Sequence, residues 1–484
     1  MHQSVQRVLD LNRVVASRQA LQMVPGSLAR RLGILPVMVS DDQLHIVMAN
    51  DEDDLALSQF EAQISLPVYV ERTYNPEKIP SLLRRYYPER SQNDGTPLAL
   101  LEEIINRAIL YRSSDIHLDP ESTGGVVRLR IDGLMQKERT MSLDGLNELV
   151  SAIKVSSGMD IAEKRVPQDG QLSMTIDGEE ISMRVATVPT LYGEKTTLRI
   201  LATESVAAEL ASLDSLGMST RHNELFQTTL GYPHGVILLS GPTGSGKTTT
   251  LYAALRHLKE PGTLHILSIE DPVEIPLDGI NQIRIDSDRV SFARALRSTL
   301  RHDPDVIMIG EIRDGETADI AVKSALTGHL VLSTLHANDS IGVISRLLNL
   351  GVAPELVNSA LRLVVAQRLV RRPCPHCVQW RSADGSEQLL FGWAPEEQVQ
   401  VPMTHGCPLC HGTGYAGRLG LYEMIPMDNS FRAMIRAGES EEKMAKYAFE
   451  ELSLPTLRQD GGHKVRLGET TIAEVQRVAF QMDV

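Results

Sequence analysis

The stretch Gly235-Val236-Ile237-Leu238-Leu239-Ser240-Gly241-Pro242-Thr243-Gly244-Ser245-Gly246-Lys247-Thr248 decides how this chain folds. It opens with an apolar run of strand length. The next eight residues match the phosphate-binding pattern G-x-x-x-x-G-K-[ST] in full, and a helix-forming segment, Thr249 to Leu258, follows at once. The glycines let backbone N–H groups turn inward around phosphate oxygens, Lys247 supplies charge for β and γ phosphates, and the Thr248 hydroxyl can ligate Mg²⁺. Nucleotide binding is thus assigned to Gly241, Pro242, Thr243, Gly244, Ser245, Gly246, Lys247, Thr248 and Thr249. A glycine-rich turn with no ligand is the weaker reading, because strand and helix flank the pattern as the motif requires.

On either side of this loop, apolar strands alternate with helical segments: Leu264-His265-Ile266-Leu267-Ser268-Ile269, Val306-Ile307-Met308-Ile309 and Leu330-Val331-Leu332-Ser333-Thr334. Continuous apolar strands suit a parallel sheet covered on both faces, so the expected class is α/β. Such sheets bind ligands at strand ends. Two carboxylate segments stand there, Glu270-Asp271-Pro272-Val273-Glu274 and Gly310-Glu311-Ile312-Arg313-Asp314, as candidates to position or activate water. An isolated acidic residue at a strand end is more often a cap or turn residue, and the neighbouring phosphate loop shifts the balance. His329 and His336 flank one strand, where a γ-phosphate sensor could sit; as lone histidines they would more often be structural hydrogen-bonders.

Residues 1–90 mix helical stretches with strand-like runs such as Leu44-His45-Ile46-Val47-Met48 and carry no catalytic constellation. The polar, turn-forming segment Pro88 to Pro97 marks a linker. Beyond it Leu98, Leu101, Ile105 and Ala108 share a helical face, and Asp115-Ile116-His117-Leu118 opens a small α+β domain. In Val127-Arg128-Leu129-Arg130-Ile131, Ile181-Ser182-Met183-Arg184-Val185 and Thr197-Leu198-Arg199-Ile200, apolar and polar residues alternate, giving each strand a buried face and an arginine-bearing face. After residue 420 the chain reads as mainly helical. The expected division is therefore 1–92, 96–205, 206–372, 373–420 and 421–484.

A formal charge of −14 argues against broad adsorption to nucleic acid or anionic lipid, and 4% aromatic residues offer few stacking platforms for single strands. No apolar run approaches the roughly 20 residues needed to cross a bilayer. The start, Met1-His2-Gln3-Ser4-Val5, lacks the basic and apolar regions of an export signal. A cytoplasmic location is expected, with membrane attachment through a partner. The four cysteines form two pairs, Cys374-Pro375-His376-Cys377 and Cys407-Pro408-Leu409-Cys410, separated by 29 residues. That spacer exceeds the usual one of about 15–20 residues but has the same design. Four thiolates offer Zn²⁺ a closed tetrahedral shell, which suits a structural role.

With these residues in view, the chain resembles the secretion ATPase superfamily, in its type II secretion and type IV pilus assembly branch. The resemblance covers roughly residues 96–484. It rests, in order, on Ser114-Asp115-Ile116-His117, Arg130-Ile131-Asp132-Gly133, Ile161-Ala162-Glu163-Lys164-Arg165-Val166-Pro167-Gln168-Asp169-Gly170, the phosphate loop, Glu270 to Glu274, Asp303-Pro304-Asp305, Gly310 to Asp314, Thr327-Gly328-His329, Ala366-Gln367-Arg368-Leu369 and the cysteine pairs. It implies a homohexameric ring whose subunits carry an amino-terminal partner-binding domain, a small second domain and a RecA-like domain that hydrolyses ATP with Mg²⁺. By the same likeness Glu270 belongs to an acidic box, Glu311 is the Walker B carboxylate and catalytic acid, and His329 and His336 form a histidine box. Arg184 and Arg199 match second-domain arginines that reach the phosphates, while Arg297, Arg301 and Arg313 match arginines of the ATPase domain. For any one of these, a solvated polar face is the plainer reading of the residue alone.

The cysteine pairs match the zinc-binding subdomain of assembly ATPases, which retraction motors lack. Residues 1–92 resemble more loosely a domain that docks on the cytoplasmic part of an inner-membrane protein. Some relatives bind cyclic di-GMP there, but a full form of that binding repeat is not evident here. The implied function is a motor acting on an inner-membrane platform protein in type II secretion, a lean that rests on the single short amino-terminal domain and the long cysteine spacer. Type IV pilus assembly stands as the alternative. A nucleic-acid translocase or DNA-uptake motor, and a non-catalytic nucleotide switch, are the readings of other classes.

Overall fold

The protein is described here by a computed structural model covering residues 8–11, 15–40, 42–87, 95–176, 179–201, 212–260, 262–285 and 290–479. The start Met1 to Val5, most of the expected linker and the boundary at 205/206 lie outside these residues. The chain divides into two compact units. One comprises Met1–Thr203, Pro373–Gln379 and Met403–Gly417; the other comprises Glu204–Arg372, Trp380–Pro402 and Arg418–Val484.

The first unit begins with β1 (Val8–Leu9), β2 (Ile34–Ser40), β3 (Gln43–Met48), β4 (Val68–Val70) and β5 (Arg72–Thr73). β3 is the central strand of the sheet β2-β3-β4, and β1 pairs with β5. Their core gathers Leu9, Ile34, Leu44, Ile46, Phe60 and Ile79. Thr96 then caps the helix Pro97–Leu110. Leu101, Ile104, Ile105 and Ala108 are buried as the helical period requires, but Leu98, in the first turn, is exposed. The second sheet contains β6 (Ser113–Glu121), β7 (Gly124–Ile131), β8 (Leu134–Met141), β9 (Gln168–Ile176), β10 (Glu179–Thr190) and β11 (Gly193–Ile200). Its order is β8-β7-β6-β11-β10-β9 and every pairing is antiparallel. Val127, Leu129, Ile181, Met183, Val185 and Leu198 form its buried face, so the alternation read from sequence reflects one-sided burial.

The second unit holds β12 (Gly235–Ser240), β13 (Ile266–Glu270), β14 (Asn281–Arg284), β15 (Val306–Ile309), β16 (Leu330–Leu335) and β17 (Leu361–Pro373). They form a sheet in the order β14-β13-β15-β16-β12-β17, with the strand Tyr415–Pro426 outermost beside β17. The pairs from β14 through β17 are parallel. β12, β13, β15 and β16 are buried along their whole length, because the helices of two apolar clusters cover both faces. The region beyond residue 420 departs from expectation: the strand runs on to Pro426, and only then do the helices Asn429–Ala437, Glu441–Lys446, Leu457–Arg466 and Ile472–Ala479 follow. Leu419 to Ile425 are buried on both faces, so no period-two pattern separates them from a helix.

Candidate functional site

Parallel pairing brings the carboxyl ends of the strands to one edge. Ser240 at the end of β12 lies level with Leu335 of β16 and Ala366 of β17, and Ile309 of β15 lies level with Ile269 and Ser333. The residues that follow β12, β13, β15 and β16 are the phosphate loop, the Glu270 segment, Gly310-Glu311 and His336.

Gly241 leaves β12 with a φ of +146°, and a Cβ there would stand 2.4 Å from the Gln367 carbonyl oxygen. At Gly246, whose φ is +87°, a Cβ would stand 2.8 Å from the Gln367 side-chain nitrogen. Only glycine fits either place. The helix Lys247–Lys259 then begins with no side-chain cap, whereas the helices starting at Thr220, Phe292, Gly315, Ser340 and Asn429 are capped by Ser219, Ser291, Asp314, Asp339 and Asp428. Its first N–H groups are thereby left for an anion. Lys247 is the first residue of that helix, where the dipole disfavours a cation, so helix stability does not explain it. Its Nζ donates to the Gly241 and Pro242 carbonyls at 2.7 and 3.0 Å. Burial and then the Arg368 guanidinium lower the Lys247 pKa, and the Glu311 carboxylate opposes them. Thr248 is exposed beside it, with its hydroxyl available to a cation. From beneath, Gln367 Oε1 accepts a 2.9 Å hydrogen bond from Thr250 Oγ1, tying β17 to the helix.

Glu270 is buried at the end of β13 and accepts three hydrogen bonds, from Tyr252 Oη, Ser268 Oγ (2.7 Å) and Gln282 Nε2 (3.0 Å). Burial and then the Glu270 charge push the Tyr252 phenol above its ordinary range, so it stays protonated and donating. Glu311 is more open. It lies two strand positions from β12, roughly 10 Å at the usual strand spacing. Arg313 donates to its Oε1, and His336 Nε2 stands 3.6 Å from Oε2. Burial would raise the Glu311 pKa, but Arg313 first and His336 next hold it below the usual value.

The two histidines part company here. His336 follows the carboxyl end of β16. His329 precedes the amino end, where its carbonyl accepts from Gly235 N and its Nδ1 donates to the Ser324 carbonyl at 2.9 Å. A six-residue strand spans roughly 20 Å, so His329 does not reach the phosphate loop of its own chain. Arg297 pairs with Glu316, and Arg301 turns back onto the Arg297 carbonyl and Ser298 Oγ. Only Arg313 of these three is brought to Glu311. The residues that sequence reading passed over are Tyr252, Ser268, Gln282 and the supporting role of Gln367. Gln367 had a signal in its Ala366-Gln367-Arg368-Leu369 segment; the others had none.

In the first unit, β-sheet register sets Arg130, Asp115, Arg199 and Arg184 in one cross-strand row. Asp115 accepts from Arg199 Nε at 2.9 Å and lies 3.5 Å from Arg130 Nε. Arg199 and Arg130 share this one carboxylate, and Arg184 stands next in the row. The four cysteines also converge in this unit: their sulfurs lie within 4.8 Å of one another, with neighbours 3.7, 3.8 and 3.9 Å apart. A disulfide needs about 2.05 Å, whereas tetrahedral bonds of about 2.3 Å to one zinc ion set sulfurs roughly 3.8 Å apart, so the set fits that metal. Cys407 N and Gly414 N also donate to Cys410 Sγ, at 3.1 and 3.2 Å, as backbone amides do toward a thiolate.

Among the described residues no helix is long and apolar enough to cross a membrane. The sequence profile of the family described as Type II/IV secretion system protein matches residues 90–477, and that of the MshEN domain matches residues 5–93. Type II secretion system protein E of Pseudomonas aeruginosa is 46% identical over 389 residues, 80% of this chain and 76% of that one. The type IV pilus assembly ATPase PilB of Thermus thermophilus is 35% identical over 483 residues, 94% of this chain and 54% of that one. The solved Legionella pneumophila ATPase DotB shares the fold at a TM-score of 0.58 and 19% identity, over 81% of this chain and 98% of its own. With a profile match across both sheets' domains and the cysteine pairs, the chain belongs to the Type II/IV secretion system protein family.

Proposed function

We propose that this protein is the ATP-hydrolysing motor of a type II protein secretion machine, working as a cytoplasmic homohexamer held at the inner membrane by protein partners. The observation that carries the reading is the convergence of an uncapped phosphate-loop helix, Lys247 and Glu311 on one sheet edge, in a chain 46% identical to a type II secretion system protein E. Lys247 answers the phosphate charge, and Glu311, oriented by Arg313 and His336, positions water and takes its proton. Glu270 acts at the same edge as an acidic group set by its three donors. Mg²⁺ on Thr248 would supply further charge neutralisation when bound. The Arg184–Arg199 row would add positive charge to the bound nucleotide in the assembled ring, a contribution that for arginine fingers is about 10³–10⁵ in rate. Cys374, Cys377, Cys407 and Cys410 would hold Zn²⁺ as a structural crosslink.

The five-part division 1–92, 96–205, 206–372, 373–420 and 421–484 goes with this reading, the first part docking on the cytoplasmic domain of an inner-membrane protein and the ring acting on a platform protein. Type IV pilus assembly is the second reading. It is favoured by the Thermus relative, whose match extends over 94% of the chain, against 80% for the secretion relative. Direct work on nucleic acid is disfavoured by the −14 charge.

Two experiments bear on these assignments. Lys247→Ala in the native cell should stop export of secreted proteins and leave surface pili intact; bald cells that still secrete would make the chain a pilus assembly motor. His336→Ala should lower kcat about tenfold or more through Glu311, whereas His329→Ala should stay within about threefold. Equal losses in steady-state turnover would return His329 to the phosphate.

A further inference from the structure

The second cysteine pair does more than close a loop. Cys407 to Cys410 form a single 3₁₀ turn, and the residue it carries outward, Leu409, is 2% exposed. Leu409 is a buried member of the hydrophobic cluster of the amino-terminal domain, and its turn packs against β2. A side chain from residue 409 thus joins a core whose other buried members all come from residues 9 to 83, with Cys407 packed at its edge. Two further contacts anchor the same loop to the second domain. The His411 ring lies 4.3 Å from that of Tyr111, and Gly417 N donates to Asp132 Oδ2 at 3.0 Å.

The loop that presents Leu409 is tied by short-range hydrogen bonds, among them Gly412 N to the Cys407 carbonyl at 2.9 Å and Thr413 Oγ1 to the Cys410 carbonyl at 2.6 Å, which span only a few residues each. His411, Gly406, Gly412, Gly414 and Gly417 all have positive φ, a backbone that is costly to order without a crosslink. The fixed points on either side of Leu409 are the sulfurs of Cys407 and Cys410, 3.7 Å apart. We propose that the four-cysteine centre is a metal-dependent latch: a zinc ion shapes the Cys407–Cys410 turn so that Leu409 plugs the core of the amino-terminal domain, locking that domain to the second one. This rests on the zinc reading above. The metal would then govern whether the partner-binding domain is held or released, rather than merely stiffening a surface loop.

The test uses the full-length protein, with zinc content and hydrogen exchange measured side by side. The reporter is β3, the central strand of the amino-terminal sheet, whose amides exchange only when that domain opens. Stripping zinc with a chelator should speed β3 exchange at least about tenfold, and restoring zinc should reverse it. Leu409→Asp should bind one zinc per chain yet speed β3 exchange as much, because a carboxylate cannot enter that core. Leu409→Met should keep wild-type exchange. Unchanged β3 exchange in zinc-stripped protein or in Leu409→Asp would overturn the latch while leaving the zinc site standing. Protein with four reduced thiols and no zinc would overturn the zinc reading itself, and with it the metal dependence.

Discussion

Glu311→Gln should bind ATP within a few-fold of wild-type affinity and hydrolyse it at least about 10³-fold more slowly. The substitution keeps shape and volume and removes only the charge, and loss of a positioned base costs typically about 10²–10⁴. Glu311 stands at this sheet edge close enough to Lys247 for its charge to act there, and it is partly open to solvent. Glu270 is buried under three donors, while Glu311 is engaged by Arg313 and His336. Because these cations hold its pKa below the ordinary 4.5, Glu311 is ionised throughout the neutral and mildly acid range. A depressed carboxylate stabilises the fold above its unfolded pKa and loses that contribution as pH falls through the folded value. Its titration therefore touches both activity and stability only below about 4.5. Arg313→Ala removes the main opposing cation and leaves burial to act, so the acid limb of the pH–rate profile should move upward. Fluorescent-nucleotide binding and steady-state turnover check both variants. A Glu311→Gln enzyme retaining a tenth of wild-type kcat would take Glu311 out of the chemistry.

The parts legible in the sequence were those whose physics is local. The phosphate loop announces itself because glycine spacing, lysine and flanking apolar strand all lie within fourteen residues. The cysteine pairs do so because two adjacent ligands at each end leave few other uses. The alternating strands β7, β10 and β11 were readable because one face is wet. The strand Tyr415–Pro426 was not, since burial on both faces erases the period. The histidines show a middle case. Their positions before and after β16 were clear, and in a parallel sheet only the one that follows the strand shares an edge with a loop that also follows its strand; His336 could have been preferred on that ground. The surroundings of Glu270 were out of reach. Tyr252, Ser268 and Gln282 come from a helix and two strands, and nothing in their own segments distinguishes them from ordinary core and surface residues. Leu409 was hidden for the same reason, as a residue whose burial depends on a domain about three hundred positions away.

Glu270→Gln, the mildest change on paper, should be among the most damaging. The carboxylate accepts from Tyr252, Ser268 and Gln282, and a carboxamide must turn an N–H₂ toward one side of that set. If it faces Tyr252, the phenol cannot simply become the acceptor, because Tyr252 Oη already accepts from the backbone N–H groups of Glu274, at 3.2 Å, and Ile275, which occupy both of its lone pairs. If it faces the other side, Ser268 can rotate its hydroxyl, but Gln282 is fixed. Its Oε1 accepts from Leu277 N at 2.7 Å and its Nε2 also donates to the Ile275 carbonyl at 3.0 Å. Flipping that amide would break both bonds. Either orientation sets donor against donor in a buried place, and with hydrogen bonds to charge worth about 1.5–3 kcal/mol each, the loss should be roughly 3–5 kcal/mol. Tyr252→Phe removes one donor and leaves the other two, so it should cost about 1.5–3 kcal/mol. Urea midpoints of the full chain would read the order Glu270→Gln, then Tyr252→Phe, then wild type. Turnover should fall in Tyr252→Phe even at temperatures where the variant is fully folded, because the freed carboxylate is no longer aimed by the phosphate-loop helix that carries Tyr252. A Glu270→Gln protein as stable as wild type would mean that the three donors do not converge on this carboxylate, and the acidic group of the site would have to be sought elsewhere on the edge.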